Sequence, residues 1–489
     1  MGFRNLRRFD SAIRRGNHGN QRRPSWEIEM VGDARGQPGK VTRTLLALLV
    51  GLLPACHMLP RTVAEHPVPD AARASVIARG LEYLAHTQIT RAEEQAIGRN
   101  WAGNWPMAVR PEVPFGSIPV VEIAAGLPAY VHTSLCVIHE GTQAAFGLED
   151  VDITRARAMR RRIWPFLERF RSPGPDPTSY GWWPRRNMEN RGLAVPLAAL
   201  LEAQMKGPRF HGDRGPVNIP AFPASLGLFP DTDDTALVLA ARVDAARLDG
   251  RPPITRPIAG LFHPWRDLAG TPRRFPPWLE TGSGAFLTWM MPPGDGRAGN
   301  DIDAAINANI LWALARYGEL DGAGARDAIR LIERVTREGR YRDEAELSTW
   351  YPRLFFHFTV ARAYAEGPVP ALASATATLL EDLVTTARWS ADGTVSWGRA
   401  GTRTETRDVS LALLALLHGG YRGPLVGGAC RRLCQLQDPR TGGWPECVVV
   451  WGTAETGIRT VWSTAALSTA FAVEALCRAR LCERGSVGR

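Results

Sequence analysis

The chain has 489 residues, 45% of them hydrophobic and 22% charged. That supplies a core for one large domain or two ordinary ones and excludes an intrinsically disordered protein. The formal net charge is +10, but the ten basic and four acidic residues of segment 1–43 account for more than half of it, so the body carries only a weak, spread excess. That is no electrostatic footprint for nucleic acid, which is not expected as a partner.

In chain order, residues 1–43 are polar and Arg-rich, with no periodic apolar positions, and are expected to be disordered. An apolar run follows at 45–53. It is far too short to span a bilayer as a helix, which needs about 20 residues. It has the length of a signal-peptide core, with Lys40 and Arg43 as its positive flank. Leu53-Pro54-Ala55-Cys56 resembles a bacterial lipobox, which makes Cys56 a lipidation candidate. The expected organisation is an N-terminal extension with a signal or lipoprotein segment over 1–56, then one folded domain over 57–489. Membrane association would come through the N-terminal segment. The expected location is the bacterial cell envelope, as a periplasmic or outer-surface lipoprotein; a membrane-associated cytoplasmic protein is the alternative. Met30 and Val41 are alternative starts, and the start of a buried helix is the other reading of 45–53.

Beyond Cys56 there are six cysteines, an even number that suits an oxidising compartment. Cys430 and Cys434 share a helix face by spacing, but no His or Cys stands at ligand spacing beside them, so no metal site is expected.

From Asp70 onward, long apolar-periodic stretches alternate with turns rich in Gly, Pro and Trp. They fall at 71–87, 234–248, 304–317, 325–336, 354–365, 371–387, 409–417 and 463–477. Ile306, Ile310, Leu311 and Leu314 illustrate the helical spacing. The pattern predicts an all-α body of about ten to fourteen helices. Val448, Val449 and Val450 form the main short strand candidate.

The turns repeat a theme. Arg79-Gly80 through Tyr83, Leu84 and Gln88 leads, after an insertion, to Gly103-Asn104-Trp105. Residues 433–437 end on Gln437 and lead to Gly442-Gly443-Trp444. Residues 380–387 lead to Gly393 and Trp397, and residues 164–170 to Gly181, Trp182 and Trp183. A Gln at the helix end satisfies open backbone groups, Gly permits the tight reversal, and Trp lays a large ring on the next helix. These segments resemble the QW motif of the squalene–hopene cyclases. That resemblance implies the fold of the terpenoid-cyclase and protein-prenyltransferase superfamily: an all-α, α/α toroid of antiparallel inner and outer helices. Generic helix-turn chemistry is the other reading.

Two acidic clusters stand out. Phe229-Pro230-Asp231-Thr232-Asp233-Asp234-Thr235-Ala236 looks like the D-x-D-D-T-A signature of class II terpene cyclases. The resemblance implies that Asp233 is the Brønsted acid that protonates an alkene or epoxide, with Asp231 and Asp234 orienting and polarising it. An alkene is a very weak base, so such an acid must stay protonated at neutral pH, which burial and neighbouring like charge favour. The second cluster, Asn300-Asp301-Ile302-Asp303, precedes Asn307 and Asn309. Both clusters also read as helix caps, with Asp231, which comes first, as the pure cap.

Trp105, Trp183, Trp289, Trp350, Tyr351 and Asn307 are candidates for the substrate site, where aromatic faces stabilise carbocations. The family reading is a cyclase acting on a hydrophobic polyprenyl substrate without a cofactor. Phosphate-binding P-loop, nucleophile-elbow and zinc-protease motifs do not occur. Two alternatives stand beside it: an extracytoplasmic toroid that hydrolyses or cleaves glycans, with Asp233 and Asp303 as its carboxyl pair, and a non-catalytic toroid lipoprotein that binds a ligand.

Overall fold

The computed structural model describes residues 68–487 except for 92, 96–97, 101, 112–117, 121–125, 173, 182–229, 272, 291–299, 349, 399–400, 403 and 454–458. Cys56, Trp183 and the expected N-terminal segment lie outside the described residues.

Eleven helices of ten residues or more are present among the described residues. They are α1 (Asp70–Thr87), α2 (Gly126–Leu135), α3 (Asp150–Leu167), α4 (Thr232–Asp249), α5 (Ala304–Arg316), α6 (Ala323–Arg337), α7 (Arg353–Glu366), α8 (Ala373–Thr386), α9 (Glu405–His418), α10 (Leu425–Leu436) and α11 (Ala465–Val487). Burial sorts them into two kinds. α1 buries one stripe (Val76, Ile77, Gly80, Leu81, Leu84), and α6 buries Ala328, Leu331, Ile332 and Val335 while its arginines face out. α2 and α9 are buried at every position, and α5 from Ala304 to Leu314. A helix with one apolar stripe covers a core, whereas one buried all round lies within it.

The helices buried all round form a closed ring. α2 packs on α4, α4 on α5, α5 on α7, α7 on α9, α9 on α11, and α11 returns to α2. The striped helices lie outside: α3 against α2 and α4, α6 against α5, α8 against α7 and α9, α10 against α9 and α11, and α1 against α11. The fold is therefore an α/α toroid in which the chain alternates between outer and inner rings. The inner helices run in one direction. Near their C-terminal ends Thr133, Asp244, Arg316, Glu366 and Leu481 line one cavity of about 410 Å³.

The alternation lapses between α4 and α5, and this lapse shapes the site. Among the described residues of 251–290 the only α-helix is the four-residue Ala259–Phe262, and Arg273–Phe275 forms a short strand paired parallel with Asn300–Asp301. The stretch ends in an extended segment pinned between the two acidic motifs. Thr232 N–H donates to Thr288 O (2.9 Å), Met290 N–H to Pro230 O (2.9 Å) and Thr288 N–H to Asp301 O (2.8 Å). Both acidic motifs are thereby fixed to one backbone at the N-terminal ends of α4 and α5.

The repeated turns are joints between outer helices, and the ring of Trp444 lies on the next helix as expected: a Cβ at Gly80 of α1 would come within 2.9 Å of it. Each Trp N–H returns to its own helix: Trp105 to Leu84 O (2.8 Å), Trp397 to Leu383 O (2.7 Å) and Trp444 to Leu433 O (2.8 Å). The acceptor lies four residues before the helix-ending Gln88 and Gln437, and before Ala387 in the joint that lacks the Gln. The Gln side chains reach across as well. Gln88 donates to Met159 O of α3 (3.3 Å) and Gln437 to Val76 O of α1 (2.8 Å). The turn glycine permits the close approach: Gly103 has φ +98°, and a Cβ there would overlap Arg162 O.

Strand structure is minor. Cys447–Thr453, containing the expected Val-rich strand, pairs antiparallel with Arg459–Thr464, which pairs with Met107–Pro111 and that with Ile118–Val120. Cys136, Cys430, Cys434, Cys447 and Cys477 are thiols outside any disulfide. Among the described residues no helix is long and apolar enough to cross a membrane.

Candidate active site

Asp231 is the N-cap of α4: its Oδ1 accepts from Asp234 N–H (2.6 Å). Asp233, the second residue of the helix, is only 4% exposed. Its Oδ1 accepts from Nδ2 of Asn309 on α5 (2.7 Å), and its Oδ2 accepts from the hydroxyl of Tyr351. Asp234 lies against the start of α2, where a Cβ at Gly126 would overlap its Oδ1.

Tyr351 belongs to a short segment before α7 that serves three carboxyls. Ser348 hydroxyl donates to Oδ2 of Asp303, Trp350 Nε1–H donates to Oδ2 of Asp301 (3.2 Å), and Tyr351 reaches Asp233. The Ser348 oxygen also accepts the backbone N–H groups of Trp350 (3.0 Å) and Tyr351 (2.8 Å), which sets the turn of the segment. Asp303 caps α5 with its other oxygen, accepting from Ala305 N–H (2.8 Å) and Ile306 N–H (3.3 Å). Trp289 meets Trp350 edge to face, with ring centroids 5.8 Å apart, and its backbone bridges to Asp231.

A second layer lies behind Asn309. Its Nδ2 also donates to Tyr130 OH of α2 (2.8 Å), and its Oδ1 accepts from Arg362 of α7 (2.7 Å). The buried guanidinium lies over the rings of Trp312 (3.9 Å), Phe358 (4.7 Å) and Tyr130 (5.2 Å). Tyr130, Phe355, Phe358 and Phe471 pack edge to face in the same part of the ring.

This environment favours protonated carboxyls. Burial raises the pKa of Asp233 above the ordinary value, against the opposing pull of Tyr351, Asn309 and Arg362. Asp231 is pushed well above its ordinary range by burial, then by the charges of Asp234 and Asp233. Burial lifts Asp303 to about 7, against the bonds from Ser348, Ala305 and Ile306. The Tyr351 hydroxyl is raised by burial and by Asp233, so it remains a proton-bearing donor. A buried acid held neutral by its surroundings can deliver its proton to a weak base.

The structure thus brings together Asp231, Asp233, Asp234, Asp301, Asp303, Trp289, Trp350 and Tyr351. Two expected substrate contacts are instead architectural. Trp105 is fully buried in an outer joint with its N–H on Leu84 O. Asn307 uses its side-chain amide on backbone, accepting from Phe286 N–H (3.0 Å) and donating to Phe286 O (3.0 Å) and Asp303 O (2.9 Å). It holds the extended segment to α5. The sequence reading missed Asn309, Tyr130 and Arg362 as site residues. A signal existed: Asn309 and Arg362 are polar interruptions in otherwise apolar helical stretches, and such groups are seldom buried without a task. Among the described residues no group of three or more His, Cys, Asp or Glu side chains is placed to hold a metal ion.

No protein-family model matches the chain, and no curated protein matches it in sequence. Solved structures do match. The apo type II terpene cyclase MstE from Scytonema is 14% identical, over 84% of this chain and 99% of that one, with a TM-score of 0.43. An unsaturated glucuronyl hydrolase specific for heparin is 12% identical, over 84% and 97%, with a TM-score of 0.42. The ent-copalyl diphosphate synthase of Streptomyces platensis is 16% identical, over 85% and 95%, with a TM-score of 0.35. At these values the likeness is to the general course of the chain, and the chemistry rests on the residues themselves.

Proposed function

We propose that the protein is a class II terpene cyclase-like isomerase in which Asp233 is the acid. The observation that carries this reading is Asp233 itself: a carboxyl buried at the start of an inner helix, held by Asn309 and Tyr351, with its pKa raised by burial. The carboxyl transfers its proton to a terminal alkene or epoxide of a polyprenyl-type substrate. The O–H bond breaks, a C–H or O–H bond forms, and a carbocation and the Asp233 carboxylate result. Successive alkenes attack the cation to close rings, and loss of a proton to water or a base ends the sequence. The faces of Trp289, Trp350 and Tyr351 supply cation–π stabilisation of the cationic stages. Asp231 caps α4 and so fixes the start of the helix that carries Asp233. Placement at the cell envelope through residues 45–53 belongs to the same proposal. An Arg placed in that run then leaves the protein in the cytoplasm, and unchanged export refutes that part.

Asp233→Asn tests the acid, because the amide keeps the shape and has no carboxyl proton. Turnover on polyprenyl substrates should fall by about 100-fold or more, with little change in melting temperature. Equal turnover of variant and parent rules out Asp233 as the acid. Activity of the parent confined to glycans replaces the cyclase with a glycan-cleaving enzyme.

A further inference from the structure

The Asp233–Asn309 contact is only as directional as the Asn309 amide, and something must decide which way that amide faces. Its two ends are nearly identical in shape, and hydrogen-bond partners choose between them. Here the choice is made by Arg362. The guanidinium bears only donors, and its N–H lies 2.7 Å from Oδ1 of Asn309. Flipping the amide would set an NH₂ group against a cation. The unflipped amide sends one Nδ2–H to Oδ1 of Asp233 (2.7 Å) and the other towards Tyr130 OH (2.8 Å).

An oxygen that faces an N–H is an acceptor and cannot also carry a proton on that side. Oδ1 of Asp233 faces an amide N–H that can only donate, whereas the Tyr351 hydroxyl at Oδ2 can turn and accept, so in the protonated acid the proton is left to Oδ2. Arg362 is held for this task by three ring faces, Trp312, Phe358 and Tyr130. A planar cation stacked on aromatic rings keeps both position and charge.

We propose that Arg362 is a positioning residue: by locking the Asn309 amide, it fixes which oxygen of Asp233 carries the acidic proton and how tightly that proton is held. This rests on the reading of Asp233 as the acid. The groups that face Asp233 are Asp231 and Asp234 on its own helix, Asp303 at the cap of α5, Tyr130 of α2, and Tyr351 and Arg362 from the α7 side. Of these, Arg362 is the permanent cation. Its removal acts twice in one direction. The ionised carboxyl loses a favourable charge, and the freed amide turns its oxygen towards Asp233, where it stabilises the protonated form.

The experiment follows the protonated carboxyl stretch of Asp233 by infrared difference spectroscopy across pH in the full chain, without substrate. The band is identified by its loss in Asp233→Asn. In Arg362→Gln the titration midpoint is expected to rise by about one unit, and the band to broaden as both oxygens take the proton. Arg362→Lys should return the midpoint towards that of the parent, because it restores the charge. Asn309→Asp keeps the volume, gives Arg362 a carboxylate partner and removes the donor to Asp233, so its midpoint should rise further. It decides the matter if Arg362→Gln does not fold. Unchanged midpoints in the variants that fold overturn the proposal, as does a parent in which Asp233 never shows a protonated band. The titration needs no turnover. A parent inactive on every polyprenyl substrate, with the midpoints shifted as expected, defeats the cyclase reading and leaves the positioning role standing.

Discussion

Tyr351 donates its hydroxyl to Oδ2 of Asp233, joining the segment before α7 to the start of α4. The bond favours the ionised carboxyl and so opposes burial, which favours the neutral one. Tyr351→Phe removes that opposition. The pKa of Asp233 should rise by about one unit or less, since a net hydrogen bond is worth about 1 kcal/mol. The alkaline limb of the pH–rate profile then moves up while the maximal rate falls, because the proton is held more tightly. A limb that stays in place or moves down contradicts the assignment.

Asp303 provides a stability test that needs no substrate. Its folded pKa of about 7 lies above the ordinary carboxyl value. The folded state therefore binds more protons than the unfolded one between about pH 4 and pH 7. The stability Asp303 contributes is complete below the unfolded value and is lost as pH rises through the folded one. Melting temperature should accordingly fall from pH 4 towards pH 7. Asp303→Asn keeps the cap through its amide oxygen and abolishes the titration. Its profile should be flatter, and parallel profiles for the two proteins would refute the raised pKa.

Gly126 makes room for Asp234. A Cβ there would overlap Oδ1 of Asp234 and lie 3.2 Å from Leu237 Cδ1. Both neighbours are buried, so Gly126→Ala should displace the Asp234 carboxyl and destabilise the protein by about 1–3 kcal/mol. Denaturant titration measures this, and a variant as stable as the parent shows that α2 yields freely.

Gln437→Leu probes the outer joints. Its Nε2 donates to Val76 O and Gly442 O, both at 2.8 Å. Loss of these two bonds to the backbone should cost about 1–2 kcal/mol. Turnover well below the melting temperature should be unchanged, because the joint lies on the outer ring. A loss of activity with stability intact would mean that the joints reach the site.

The helices, the repeating turns and the acid motif were legible in the sequence because each is local. Ile306, Ile310, Leu311 and Leu314 fall on helical spacing whatever lies opposite them. Asp231 caps α4 as expected because it stands three residues before the N–H it accepts, a distance set by helix geometry alone. The Gly and Trp of each joint are local as well, although the reach of the Gln to the neighbouring helix was not.

What the tertiary structure alone decided are the partners of those residues. Asn307 and Asn309 stand two positions apart on α5, so they face different ways. One ties down backbone, and the other meets Asp233, Tyr130 and Arg362. Trp105 and Trp350 are chemically alike, yet one closes an outer joint and the other donates to Asp301. Residues 130, 233, 309, 351 and 362 come together only because six inner helices close into a ring. Ring closure depends on contacts between helices remote in sequence, and no local spacing encodes those contacts.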